Sequence, residues 1–153
     1  MFNRILIPLD GSELAETVVP YVQELAHKFG SAITLLQVVD YATAVLPVEP
    51  GLMTPIQPEV LEEAAEAELL RADEYLANLR GRLRKAGLNA TYKVERGDPA
   101  DEIIRYAKEW SADLIAMSTH GRSGLVRLVF GSVANEVLRN AGTPILLIRP
   151  QGR

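Results

Sequence analysis

The residues best suited to chemistry lie in one stretch, Met117-Ser118-Thr119-His120-Gly121-Arg122-Ser123-Gly124, answered by Gly131-Ser132-Val133 ten residues after Gly121. An apolar run, Asp113 to Met117, leads into this stretch, and a helical pattern starts near Ser132. Gly121 and Gly124 can take backbone angles closed to other residues and let a ligand approach the chain closely. Free N–H groups at the start of the Ser132 helix, with the helix dipole behind them, favour an anion. The chemistry this layout suits is phosphate binding, by the backbone N–H of Gly121, Arg122, Ser132, Val133 and Ala134 and by the Ser132 hydroxyl. The same residues also fit a plainer account, in which the glycines shape a long turn and Ser132 caps a helix.

His120 has the wrong company for catalysis. Only one carboxylate, Asp10, is expected near it, and a nucleophile needs a base in reach and a group to orient that base. His120 is read as shaping the turn or touching phosphate. Arg122 and Arg127 could neutralise phosphate charge or be ordinary surface arginines. Neither G-x-x-x-x-G-K-[S/T] nor G-x-G-x-x-G occurs in the chain, so the two common nucleotide fingerprints are absent. Asp10-Gly11-Ser12 is the second unusual turn. Asp10 and Glu13 have the spacing of a capping box, so Asp10 can be a helix cap, a ligand group or both.

These groups must be positioned by regular elements. Asn3 to Leu9 is a short apolar run with the look of a buried strand. Leu14, Val18, Val22, Leu25 and Phe29 then recur at helical spacing up to Gly30. Ala32 to Val39 predicts a second strand, and residues 40–58, with four prolines, predict a long mobile excursion. Leu61, Ala65, Leu69, Ala72, Leu76, Leu79 and Leu83 stripe one long helix, about Glu59 to Lys85. Its early glutamates suit the helix dipole and predict a solvated face. Thr91 to Glu95 reads as a third strand, and Asp98-Pro99 opens a helix burying Ile103, Ile104 and Ala107. Leu114 to Met117 is the fourth strand. The last helix, from about Ser132, is expected to bury Val133, Val137, Leu138 and Ala141, and Pro144 to Arg149 is the fifth strand. Strands alternating with helices predict a single-domain α/β protein with an open parallel sheet.

Composition narrows the function. With 153 residues, 48% of them hydrophobic and 24% charged, the chain reads as one soluble globular domain. It has no cysteine, and only His27 and His120 offer imidazoles, so thiolate and histidine-rich metal sites are excluded. A net charge of −4 argues against general nucleic-acid binding. The apolar run after Arg4 is too short for a signal peptide or a membrane span, so a cytoplasmic location is expected.

Ser118-x-x-Gly121, nine residues, then Gly131-Ser132 resembles the nucleotide loop of the universal stress protein family, G-x-x-G, nine residues, G-[S/T]. Ile5-Leu6-Ile7-Pro8-Leu9-Asp10-Gly11-Ser12, Leu35-Leu36-Gln37-Val38-Val39-Asp40 and Thr143-Pro144-Ile145-Leu146-Leu147-Ile148 resemble that family too, in order along the chain. The resemblance implies a Rossmann-like five-stranded sheet of order 3-2-1-4-5, with helices on both faces and the ligand at the switch point between strands one and four. It implies a regulatory or stress-response domain binding ATP, with Mg or Mn carried by the nucleotide. Asp10 would hold the ribose or lie beside the base, Val38 would offer its backbone to the adenine edge, and Pro8 and Met117 would flank the base. Ser118 departs from the family's first glycine. A homodimer through the Pro144 to Arg149 strand is also implied, and hydrolysis, if any, would be slow. The family's other branch consists of nucleotide-free dimeric interaction modules, which lack the glycine loop that this chain mostly keeps.

Overall fold

A computed structural model of the chain describes residues 1–40, 57–119 and 131–150. β1 (Arg4–Leu9) and β2 (Ala32–Val39) are nearly continuous apolar runs, as strands covered on both faces must be. Between them the periodicity predicts one helix, and two form: α1 (Glu13–Glu16) and α2 (Val19–Phe29). Pro20 is the cause. A proline inside a helix lacks the N–H and its ring clashes with the carbonyl four residues back, whereas in a first turn its missing donor costs nothing. The chain therefore ends α1 at Thr17, whose hydroxyl donates to the Leu14 carbonyl at 2.7 Å, and restarts with Pro20 in the first turn of α2. Leu14 and Phe29, expected in the buried stripe, are exposed, although Phe29 meets Phe2 edge to face. Gly30, in the left-handed region at φ 66°, stops α2.

α3 (Pro58–Lys85) buries Ala65, Ala72, Leu76, Leu79 and Leu83 of its predicted stripe, leaving Leu61 and Leu69 half-buried. The predicted excursion falls almost wholly on 41–56, outside the described residues. β3 (Asn89–Arg96) is longer than its weak alternation predicts, because it pairs with β2 in parallel all the way from Ala32↔Asn89 to Val39↔Arg96. α4 (Pro99–Glu109) starts as predicted, with the Asp98 carboxylate accepting from the Asp101 N–H at 3.1 Å. β4 (Leu114–Ser118), α5 (Ser132–Asn140) and β5 (Ile145–Ile148) complete the chain. Leu138, expected in the core, is exposed on α5.

The five strands form one parallel sheet of order β3-β2-β1-β4-β5, the Rossmann-like arrangement that the resemblance implies. Strand alternation divides the core in two. Ile5, Ile7, Leu9, Ile33 and Leu35 pack under α1, α2 and α3, while Leu6, Leu36, Ile115 and Met117 pack under α4 and α5. Among the described residues no helix is long and apolar enough to cross a membrane.

Candidate functional site

The sheet is interrupted at one place. β1 pairs with β2 along its whole length, from Arg4↔Ala32 to Leu9↔Gln37. With β4 it pairs only at Ile5↔Leu114 and Leu6↔Ile115, although β1 continues to Leu9 and β4 to Ser118. The two central strands therefore separate at their carboxyl ends, where the strand order reverses. Pro8 lies in the separated part, where a residue without an N–H leaves no β4 carbonyl unpaired on its account. Crevices of this kind, at the carboxyl ends of parallel strands, are where open α/β sheets take ligands.

A cavity of about 460 Å³ occupies the crevice, within the ~300–1,000 Å³ usual for small-molecule sites. Every candidate within the described residues lines it: Pro8 on β1, Asp10 just after it, Val38 on β2, Met117 and Ser118 on β4, and Gly131, Ser132, Val133 and Ala134 at the start of α5. His120, Gly121, Arg122, Gly124 and Arg127 lie outside the described residues.

Of the helices that begin at this edge, α1, α4 and α5 differ in their first turns. At α1 the cap is Ser12, whose hydroxyl accepts from the Ala15 N–H at 3.1 Å. The Asp10–Glu13 capping box is thus replaced by a nested turn. Asp10 Oδ1 accepts from the Ser12 N–H at 2.9 Å and from its hydroxyl at 2.6 Å, and Gly11 takes the positive φ of 81° that the turn requires. α4 is capped by Asp98. α5 has no side-chain cap: its N-cap is Gly131, and Ser132 is the first helical residue rather than the cap. Among the described residues no side-chain cap is made to the opening N–H groups of α5, and Gly131, Ser132, Val133 and Ala134 line the cavity.

Gly131 is held where only glycine fits easily. Its N–H donates to the Thr119 carbonyl at 2.6 Å, and Thr119 in turn donates from its own N–H to the Ile148 carbonyl at 3.0 Å. A Cβ on Gly131 would stand 3.1 Å from the Thr119 carbonyl oxygen. The glycine is needed for close approach, since its φ of −63° is open to any residue. Ser118 belongs to β4 in register with Ile148, and the positive-φ non-glycine residues among those described are Phe2 and Ser111.

The structure adds wall residues that the sequence reading did not select. Gln37, Asp40, Glu68, Asp98, Thr119 and Glu136 line the cavity, and with Asp10 they make its described wall rich in carboxylates. Asp98 could have been found from topology, because a helix following a parallel strand must start at the carboxyl edge. Glu68, in the middle of α3, carries no such signal. On α3, burial and the nearby Glu16 and Asp10 carboxylates push the Tyr75 phenol well above the usual tyrosine range, keeping it a neutral hydroxyl. Among the described residues no group of three or more His, Cys, Asp or Glu side chains could hold a metal ion.

The sequence profile of the universal stress protein family matches residues 1–149. A universal stress protein of Methanocaldococcus jannaschii, MJ0531, is 32% identical over 97% of this chain and 83% of its own length. The solved structure of MJ0577, subject of a structure-based assignment of biochemical function, superposes with a TM-score of 0.86 at 25% identity, covering 100% of this chain and 99% of that one. The universal stress protein UspA from Lactobacillus plantarum superposes with a TM-score of 0.80, also at 25% identity, over 97% and 98% of the two chains.

Proposed function

We propose that this protein, which belongs to the universal stress protein family, is a nucleotide-responsive regulatory domain that binds ATP at the separated ends of β1 and β4. The observation that carries the reading is a cavity of nucleotide size into which α5 opens without a side-chain cap. An uncapped helix start offers N–H donors and a positive dipole end to phosphate. In this reading Ser132, Val133 and Ala134 hold the phosphates, joined by the backbone of Gly121 and Arg122 and by His120 from the loop. Pro8 and Met117 flank the adenine, the Val38 backbone meets its edge, and Asp10 holds the ribose. A divalent cation, Mg or Mn, travels on the phosphates and offsets the carboxylates of the wall. The charge-neutralising lysine and positioned base of efficient phosphoryl transfer are not assigned, so any turnover is slow.

The same reading makes the protein a homodimer. β5 is the sheet's outer strand beside β4, and its residues are Ile-Leu-Leu-Ile. The Pro144 and Ile148 carbonyls accept from β4, so alternation turns the N–H and C=O of Ile145 and Leu147 outward. An apolar edge with free donors and acceptors invites pairing, here antiparallel with the same strand of a second copy. Light scattering should report a dimer at micromolar concentration, and Leu147→Pro, which removes an outward N–H, should give a monomer. A wild-type monomer sinks this part.

The test of the main reading is mass spectrometry of nucleotide released from the purified protein, followed by titration with ATP and GTP. ATP should bind at or below millimolar concentration and in preference to GTP. No binding, or equal binding of the two, overturns it.

A further inference from the structure

Gln37 and Tyr75 are the two buried polar residues that leave a side-chain atom without a hydrogen-bond partner among the described residues. Gln37 is 4% exposed, and its unpartnered atom is Oε1. Buried polar atoms are nearly always paired, so an orphan in a cavity wall points to a partner that arrives with the ligand. Gln37 lines the cavity. It stands abreast of Leu9 in the β1–β2 register, one residue before Asp10, and on the face of the sheet that Leu9 and Leu35 share. Val38, the proposed adenine contact, belongs to the opposite face with Leu36. Asp10, Asp40 and Glu68 line the same cavity, and their carboxylates are acceptors suited to hydrogen-bond donors on a ligand.

We propose that Gln37 is a specificity-determining residue: beside Asp10, its amide oxygen accepts a hydrogen bond from one ribose hydroxyl and selects nucleotides that carry that hydroxyl over those that lack it. The proposal rests on the nucleotide reading above. A ribose offers two adjacent hydroxyl donors, and the wall offers two adjacent acceptor groups, Asp10 and Gln37. The terminal torsion of glutamine is broad, so the amide can turn its oxygen to a donor in the cavity at little cost. A polar group built to meet a hydroxyl discriminates strongly against a ligand lacking it, because the group is then left unpaired. The adenine amino group is the other donor a nucleotide carries, but it belongs with the base on the Val38 face.

The experiment is a cycle of two proteins and four ligands, read by calorimetry: wild type and Gln37→Leu, each with ATP, 2′-deoxy-ATP, 3′-deoxy-ATP and inosine triphosphate. Wild type should lose about tenfold in affinity for one of the two deoxynucleotides, and Gln37→Leu should bind that deoxynucleotide and ATP alike. Gln37→Met repeats the test with an unbranched side chain should the leucine variant misfold. If the discrimination survives in both variants, Gln37 is only a buried core amide and the proposal is overturned. It is equally overturned if the substitutions collapse the preference for ATP over inosine triphosphate instead, which would make Gln37 a base reader. Wild type that binds ATP but treats both deoxynucleotides as ATP overturns this proposal alone. Wild type that binds none of the four overturns the nucleotide reading and this proposal with it.

Discussion

β1 has two unlike flanks. Toward β2 the ladder is complete, and β2 is paired just as completely with β3 on its far side. Helix faces cover this half, with Leu76, Leu79 and Leu83 of α3 nearly inaccessible to solvent. Toward β4 the ladder stops after Leu6↔Ile115, and the unpaired ends enclose a cavity instead of a core. The two flanks share one strand and one sequence style, so hydrophobicity does not separate them. What separates them is topology: β2 follows β1 through α1 and α2, while β4 arrives from the other side, and only at that reversal can the strand ends diverge. Stability should accordingly concentrate on the closed flank and ligand binding on the open one.

The largest effect should come from the closed flank. Leu76 is fully buried where α3 meets the sheet. Leu76→Ala should cost roughly 2–5 kcal/mol of unfolding free energy in a urea or guanidinium titration, through lost burial and the cavity left behind. At temperatures where the variant stays folded, its ATP affinity should match wild type. A specific loss of binding in the folded variant would break the division between the flanks.

On the open flank Gly131→Val should do the reverse. The new Cβ meets the Thr119 carbonyl oxygen, a backbone atom already bonded to the Gly131 N–H, and a β-branched side chain cannot turn away from both it and the first turn of α5. Affinity for ATP should fall by about 100-fold or more, equivalent to about 2.7 kcal/mol, measured by calorimetry. The melting temperature should move less than in Leu76→Ala.

Much of this division could be read in advance. β2 and the start of α4 stand where short apolar runs and Asp98-Pro99 put them, because those signals are local. The elements that differ are those decided by competition. Pro20 splits a helix whose apolar spacing runs straight through it, and Ser12 captures the α1 cap while Asp10 turns back to hold Ser12. At the site, glycines and an uncapped serine are visible as a pattern, whereas Glu68 and Glu136 reach the cavity only through packing angles that no spacing encodes. Gln37 was hidden for a different reason: in a run of apolar residues one glutamine looks like an interruption, and its missing partner exists only as a fact of three dimensions.

Asp10 sits at the hinge between the flanks and should show an intermediate effect. Asp10→Asn keeps an oxygen for the Ser12 N–H, so the turn should survive, but it loses the charge and the all-acceptor character that favour a ribose hydroxyl. ATP affinity should fall by about tenfold with little change in denaturation midpoint. Unchanged affinity would leave Asp10 a turn-former alone and move the ribose elsewhere.

The smallest effect is expected at Ser118, the place where this chain departs from the glycine that the nucleotide-binding branch carries. A serine there would be costly if the backbone needed a positive φ, by roughly 1–2 kcal/mol. Ser118 instead continues β4, opposite Ile148, in extended backbone that any residue adopts. Glycine would gain nothing from its freedom in that conformation, and in a strand it adds backbone entropy to be lost on folding. The serine side chain is small, 8% exposed and part of the cavity wall, so it also takes little room from a ligand. Ser118→Gly should therefore change ATP affinity by no more than about tenfold in either direction, with a slight loss of stability. A wild-type protein that fails to bind and is rescued to tight binding by Ser118→Gly would contradict the extended geometry at this residue. It would also place the chain with the nucleotide-free branch, leaving the open flank of β1 a cavity without a nucleotide.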